Sequence, residues 1–571
     1  MKLTELNNKS DKKSLSKLEY DIFGIIPLLS KFLHHFLNNP KNFINFQSSL
    51  ATSFSKILVS NMVNPAENKQ NENRTSTTSN KMFKSSIWDD HPYFNFWKQL
   101  YLSNVEVVEK SIEEIDDFNE NDKQKLLFFM RRFLESMSPL NFPATNPDII
   151  KETFQSGGSN LFNGLKNFAD DLDPKTGRLN MRMVDKNKFV VGDNLACTPG
   201  KIIFQNELVQ LIQYKPATNQ VYEIPLLIIP PWINKYYILD LRPENSLVGW
   251  LVSKGFSVFV ISWNEPNEEN SDISFYDYFL KGVYKVIKFM RSEFNLKKVN
   301  TLGYCIGGTL QALSLSYLES IQDQTINSST FLTSMIDFSE PGDLGFFVDE
   351  DIVEKLEVVM EADGYLDGDH MSQVFNILRA NDLIWHFFVN NYLKGKSPDA
   401  FDILYWNSDS TRLPGKMHSF YLREMYLKNS LAEPNALSMG EIKIDITKIR
   451  TPSCFVSAVE DHIAPWRSTF AGAKLLGGKK TFILTNGGHV AGIVNPPANS
   501  RYSHYISELA DQLPDEWLED ANNIKGSWWT TWVSWLAENS GSKIKALNIR
   551  QKSVIEDAPG SYVKSKYRDI N

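Results

Sequence analysis

The stretch Val299-Asn-Thr-Leu-Gly-Tyr-Cys-Ile-Gly-Gly308, running on into the helical pattern Leu310 to Leu318, decides how the rest of the chain is read. Val299 to Leu302 predicts a strand. Gly303-Tyr-Cys305-Ile-Gly-Gly308 then follows the pattern of a nucleophile elbow, with cysteine in the nucleophile slot. A sharp strand-to-helix turn forces the central side chain into the open. It tolerates only small residues two before and two or three after, because bulkier ones would meet the neighbouring strand and helix. The helix N-terminus behind Cys305 adds positive potential and a free backbone N–H, which suits a sulfur anion and the oxyanion of a thioester under attack. The same six residues also fit a buried structural cysteine or a glycine-rich phosphate loop.

Residues far down the chain favour the nucleophile. In this fold class the partners follow in the order nucleophile, acid, histidine. Val459-Glu-Asp461-His follows the apolar run Ser453 to Ala458, and Asn486-Gly-Gly-His489 follows Thr481 to Thr485. Asp461 and His489 thus sit at the carboxyl ends of consecutive strands, where open α/β sheets bind ligands. His462 adjoins Asp461 but points elsewhere, and is read as structural. The other seven histidines show no metal-ligand spacing, so no metal is expected.

Around these motifs, short apolar runs alternate with helical stretches from about residue 200. The runs are Pro225 to Pro230, Val258 to Trp263, Val299 to Tyr304, Phe331 to Phe338, Ser453 to Ala458 and Thr481 to Thr485, and Phe275, Phe279, Val283, Ile287 and Met290 mark one helical face. That alternation predicts an α/β fold of the α/β-hydrolase kind, with a mostly parallel sheet covered on both sides. Residues 196–571 are assigned to it, with a helical cap inserted at about 339–450. Residues 86–195 read as a helical N-terminal domain. Before that, residues 14 to about 62 have helical spacing, suiting either a solvent-facing helix or an apolar-surface anchor. Asn64 to Asn80 is too polar for a core and reads as a linker, so 1–85 stands apart.

Composition narrows the function. The net charge of -8 disfavours nucleic acid as a partner, since phosphate-backbone binding needs a clustered basic excess. Three cysteines, widely spaced, offer neither a disulfide framework nor a zinc site, and fit a reducing compartment. The first apolar run, Ile22 to Leu33, is broken by Gly24, Pro27, Ser30 and Lys31, so neither a secretory signal nor a membrane-spanning helix is expected. Cytoplasmic residence follows as the default.

Taken together, the chain from about Ile87 to Lys566 resembles the polyhydroxyalkanoate synthase family, in its single-subunit, short-chain class. The resemblance rests on the G-x-C-x-G-G box and on long strings: Met137-Ser-Pro-Leu-Asn-Phe-Pro-Ala-Thr-Asn-Pro147, Asn234-Lys-Tyr-Tyr-Ile-Leu-Asp-Leu241, Tyr405-Trp-Asn-Ser-Asp-Ser-Thr-Arg412, Glu460-Asp-His-Ile-Ala-Pro-Trp466 and Gly488-His-Val-Ala-Gly-Ile-Val-Asn-Pro-Pro497. It implies that Cys305 carries the acyl chain, that His489 is its base, and that Asp461 either orients His489 or helps deprotonate the incoming 3-hydroxyl. It implies an oxyanion hole from the backbone of Ile306 with Trp232 or Ile233, and contacts to the substrate through Asn234, Asp240 and Arg379. Family members often have a smaller residue where Trp232 stands, which leaves chain-length preference open. The expected reaction polymerises (R)-3-hydroxyacyl-coenzyme A, with coenzyme A as carrier and leaving group and no cofactor. The expected partners are the growing polymer, its cytoplasmic granule surface and a second copy of the chain. Two rivals remain: a thiol hydrolase of the same fold, for which the Met137 to Pro147 region has no use, and a non-catalytic granule coat, which would have no need of Cys305, Asp461 and His489 together.

Overall fold

The computed structural model describes residues 23–63 and 82–566; residues 1–22 and the linker expected at Asn64 to Asn80 lie outside the described residues. The chain divides into two compact units. One joins Phe23–Asp185 to Val374–Ala400, and the other holds Lys186–Gln373 and the chain from Phe401 onward.

The first unit is helical: α1 (Ile25–Asn38), α2 (Pro40–Val63), α3 (Pro92–Glu113), α4 (Glu120–Ser136), α5 (Pro147–Gln155) and α6 (Ser159–Asp171). Leu28 and Phe32 of α1 pack with Ile112, Ile115, Phe118 and Leu126. Helix α6 is inverted in polarity. Its small and polar side meets the π-wound segment Val389–Leu393, where Asn160 Nδ2 donates to the Leu393 carbonyl at 2.8 Å, Asn167 Nδ2 to that of Asn391 at 2.9 Å, and the Tyr392 hydroxyl to Asp171 at 2.7 Å. Gly164 is required there, since a Cβ on it would lie 1.8 Å from the Tyr392 carbonyl oxygen. These bonds put Val374–Ala400, part of the range read as cap, with the N-terminal helices. The apolar side of α6 faces outward: Phe162 is 73% exposed and Leu165 67%.

The second unit is built on an eleven-stranded sheet. Its strands are β1 (Gly200–Gln205), β2 (Val209–Tyr214), β3 (Leu226–Ile229), β4 (Val258–Trp263), β5 (Val299–Tyr304), β6 (Ile326–Leu332), β7 (Ser453–Ala458), β8 (Lys480–Thr485), β9 (His504–Glu508), β10 (Asn522–Ile524) and β11 (Glu556–Asp557). They lie in the order β10-β9-β8-β7-β6-β5-β3-β4-β2-β1-β11. The stretch from β8 to β4 is parallel, and the pairs outside it are antiparallel. This is the mostly parallel α/β arrangement expected. The flanking helices include α7 (Leu247–Ser253), α8 (Lys285–Phe294), α9 (Ile306–Ser320), α10 (Trp466–Leu475) and α11 (Trp528–Glu538).

One local reading is corrected. The strand expected at Phe331 to Phe338 runs earlier, as β6, through the polar string Asn327-Ser-Ser-Thr330. Ser328, Ser329 and Thr330 are hidden but satisfied. Ser328 Oγ donates to Asn300 at 2.8 Å, Ser329 and Thr301 hydroxyls meet at 3.1 Å, and Thr330 Oγ1 accepts from Trp532 Nε1 at 2.9 Å. A strand whose hydroxyls are paired across the sheet can be central without being apolar. The helix through Phe275 opens into a π-wound stretch at Tyr278–Tyr284 before α8. Its wider turn keeps Phe275, Phe279 and Val283, spaced by four, on the buried side.

Candidate active site

Cys305 stands between β5 and α9 with φ 53° and ψ -126°. A non-glycine residue held at positive φ costs on the order of 1–3 kcal/mol and persists only where its surroundings fix it. Here the Cys305 N–H donates to the Leu332 carbonyl at 2.9 Å, and its own carbonyl accepts from Gly308 at 2.8 Å. The glycines are steric requirements. A Cβ on Gly307 would lie 2.2 Å from the Ile229 carbonyl oxygen, and one on Gly308 would lie 2.0 Å from Ser334 Oγ. The elbow therefore sits tight against β3 on one side and the end of β6 on the other.

His489 follows β8 and Asp461 follows β7. Two backbone bonds tie these strand ends together, Val459 N–H to the Thr485 carbonyl at 3.0 Å and Glu460 N–H to that of Gly487 at 2.8 Å. Asp461 Oδ2 meets His489 Nδ1 at 2.8 Å. Its Oδ1 accepts from the N–H groups of Ile463 and Ala464, both at 2.8 Å, so the carboxylate is fixed at both oxygens. The Cys305 side chain lies close enough to the His489 ring for its charge to act on the imidazole. Cys305, His489 and Asp461 are thus brought into one line. Tyr304 steadies its centre, stacking on the imidazole at 5.7 Å and donating its hydroxyl to the His489 carbonyl at 3.1 Å. Burial alone would lower the imidazolium pKa, but the charges of Asp461 and Cys305, with the Asp461 bond to Nδ1, overcome it and raise His489 to about 10.

The other cysteines have no such company. Burial pushes the Cys454 thiol far up within β7, and burial followed by the charge of Asp240 raises Cys197. Neither is suited to act as a thiolate. His462 is half-exposed, 3.9 Å from Asp343.

The turn after β3 places Trp232 in a buried aromatic nest with Tyr278 at 4.5 Å, Trp263 at 5.3 Å and Phe275 at 5.8 Å. Among the described residues, neither Ile233 nor Ile306 donates its N–H to a backbone carbonyl. Asn234 is buried, and its Nδ2 reaches the Trp406 carbonyl at 3.4 Å. Asp240 is 1% exposed and its carboxylate accepts from the hydroxyls of Ser246, Thr198 and Tyr214, so it serves the interior. Arg379 belongs to the helical unit and pairs with Asp382.

Sequence reasoning missed two phenols of the cap. Tyr421 and Tyr426 lie close enough to Cys305 for its charge to act on both, burial being the larger cause of their raised pKa values. Positions five apart fall about 140° apart around an α-helix, which reads as two faces. Tyr421–Leu427 is π-wound, and the two rings meet at 5.5 Å, with Phe338 5.1 Å from Tyr426. No sequence signal announces a π-turn here.

Comparison with known proteins gives the family. Residues 79–251 match the family model described as Poly-beta-hydroxybutyrate polymerase (PhaC) N-terminus, and residues 251–496 match that of the alpha/beta hydrolase fold. The chain is 38% identical over 544 residues to the Poly(3-hydroxyalkanoate) polymerase subunit PhaC of Rhizobium meliloti, covering 95% of this chain and 89% of that one. It is 39% identical over 541 residues to the Poly(3-hydroxyalkanoate) polymerase of Methylorubrum extorquens, covering 94% and 89%. With the subunit of the same name from Cupriavidus necator it shares 38% identity over 504 residues, covering 86% and 84%. At this identity over nearly the whole length, the chain belongs to the poly(3-hydroxyalkanoate) polymerase family.

Proposed function

We propose that the protein polymerises (R)-3-hydroxyacyl groups, 3-hydroxybutyryl first among them, from their coenzyme A thioesters through a covalent intermediate on Cys305. The observation that carries this is the Cys305–His489–Asp461 alignment, with an imidazole held cationic beside the sulfur. The Cys305 thiolate adds to the thioester carbonyl, and the Ile306 N–H with that of Trp232 or Ile233 receives the oxyanion. The carbon–sulfur bond to coenzyme A breaks and its thiolate takes the proton from His489. His489, now neutral, accepts the proton of the next 3-hydroxyl as that oxygen attacks the acyl-Cys305 carbonyl; an ester forms and the Cys305 sulfur leaves. Asp461, bonded to Nδ1 and held by two amides, is better placed to orient the ring than to reach a substrate hydroxyl.

A thiol suits this task. Exchange of one thioester for another is nearly neutral in free energy, so the chain stays activated, whereas an ester on serine would be a sink. Phe338, Tyr421 and Tyr426 form an aromatic wall that limits water, the competing nucleophile. The product has ester acceptors and alkyl groups but no charge. The outward apolar side of α6 suits adsorption to it, and we place the protein on granules of that polymer in the cytoplasm, as a homodimer.

The test is to supply 3-hydroxybutyryl-coenzyme A and follow free thiol and turbidity together. Both should rise with the native protein and neither with Cys305→Ala. Thiol release with only soluble acid as product would favour a hydrolase instead.

A further inference from the structure

The string Tyr405-Trp-Asn-Ser-Asp-Ser-Thr-Arg412 has no part in the chemistry above, yet it lies along the turn after β3. Thr411 Oγ1 donates to the Trp232 carbonyl, and the Thr411 N–H donates to the Ile233 carbonyl at 3.2 Å. Asn234 bridges Ser410, and Trp406 Nε1 donates to the Lys235 carbonyl at 2.7 Å. The strap is itself anchored: Tyr237 donates to Asp409 at 2.8 Å, Lys235 Nζ stands 3.4 Å from Asp409, and the Arg412 N–H donates to Glu265 at 2.9 Å. Thr411 is 8% exposed. One residue thus holds two successive carbonyls of the turn.

A trans peptide is planar, so the C=O of one residue and the N–H of the next point in opposite directions. Fixing the Trp232 carbonyl toward Thr411 turns the Ile233 N–H away from the strap. The chain entering the turn abuts the first turn of α9, since a Cβ on Gly307 would meet the carbonyl oxygens of Ile229 and Pro230. We propose that Thr411 is a positioning residue for acyl transfer, orienting the Trp232–Ile233 peptide so that the Ile233 N–H faces the thioester oxygen. This rests on reading Cys305 as the acyl carrier.

Two reactions of the same sulfur separate orientation from general damage. Transfer from 3-hydroxybutyryl-coenzyme A passes through an oxyanion; alkylation by iodoacetamide does not. Thr411→Val keeps the side-chain shape and the backbone N–H and deletes only the hydroxyl. In the full-length protein it should slow single-turnover acylation of Cys305 by about tenfold or more, with alkylation changed by less than about twofold, and Thr411→Ser should restore acylation. Acylation at the native rate in Thr411→Val, or an equal loss in both reactions, overturns the proposal. Failure of the underlying reading looks different: Cys305→Ala would still release coenzyme A and form polymer.

Discussion

Replacing Asp461 by asparagine tests the geometry of the site most sharply, because the backbone dictates which way the new amide must face. Oδ1 of Asp461 accepts from the Ile463 and Ala464 N–H groups, both at 2.8 Å, so the position between them has to remain an oxygen. The amide nitrogen of Asp461→Asn must then occupy the Oδ2 place, 2.8 Å from His489 Nδ1, and donate to it. The ring proton moves to the other nitrogen, the one that serves Cys305, and His489 can no longer receive a proton from the sulfur or from an incoming hydroxyl. A wrong tautomer of this kind costs on the order of 10³ to 10⁴ in kcat with the fold intact. The substitution also deletes the charge that does most, against burial, to raise His489 from 6.5 to about 10. A raised histidine stabilises the fold fully below its unfolded value near 6.5, and that contribution is lost as pH rises through about 10. The thermal midpoint of Asp461→Asn should therefore lie furthest below that of the native protein at about pH 6 and converge with it toward pH 10. Coenzyme A release gives the rate, and histidine-selective ¹⁵N NMR gives the tautomer and the titration. Native turnover in Asp461→Asn, or a His489 resonance that titrates as in the native protein, refutes the argument.

Other expectations follow from single contacts. Gly308→Ala would put a Cβ 2.0 Å from Ser334 Oγ and should cost about 1–3 kcal/mol in chemical denaturation, with loss of coenzyme A release that Ser334→Gly partly restores. Thr330→Val strands the buried Trp532 N–H in the sheet and should destabilise by about 1–3 kcal/mol while leaving kcat of the folded fraction unchanged. Charging the outward face of α6 with Phe162→Glu and Leu165→Glu should move the protein from the polymer pellet to the supernatant after centrifugation, with the initial rate on soluble substrate preserved.

What the sequence disclosed and what it concealed divide along a physical line. Cys305, Asp461 and His489 each stand at the carboxyl end of a strand, and each carries its requirement in its immediate neighbours: glycines beside the sulfur, an acid after one apolar run, a histidine after the next. Their convergence needs only that β5, β7 and β8 be parallel, and the alternation of strand and helix predicts that. Features set by distant pairing leave no local trace. The string Asn327 to Thr330 falls outside the apolar run because its side chains are polar, and Asn300, Thr301 and Trp532, from elsewhere in the chain, pair them within a strand. The antiparallel β9, β10 and β11 extend the two edges of the sheet with short segments that no period distinguishes. Helix α6 inverts the usual rule, since its polar side is hidden against carbonyls of Leu393 and Asn391 more than two hundred residues away. Thr411 belongs with these. Its effect on the chemistry runs through two carbonyls of a turn that precedes it by 179 residues, and a hydroxyl acting at that remove has no signature in its own neighbourhood. Residues that perform the reaction are therefore readable from their setting, while those that aim it become visible only when the chain is folded.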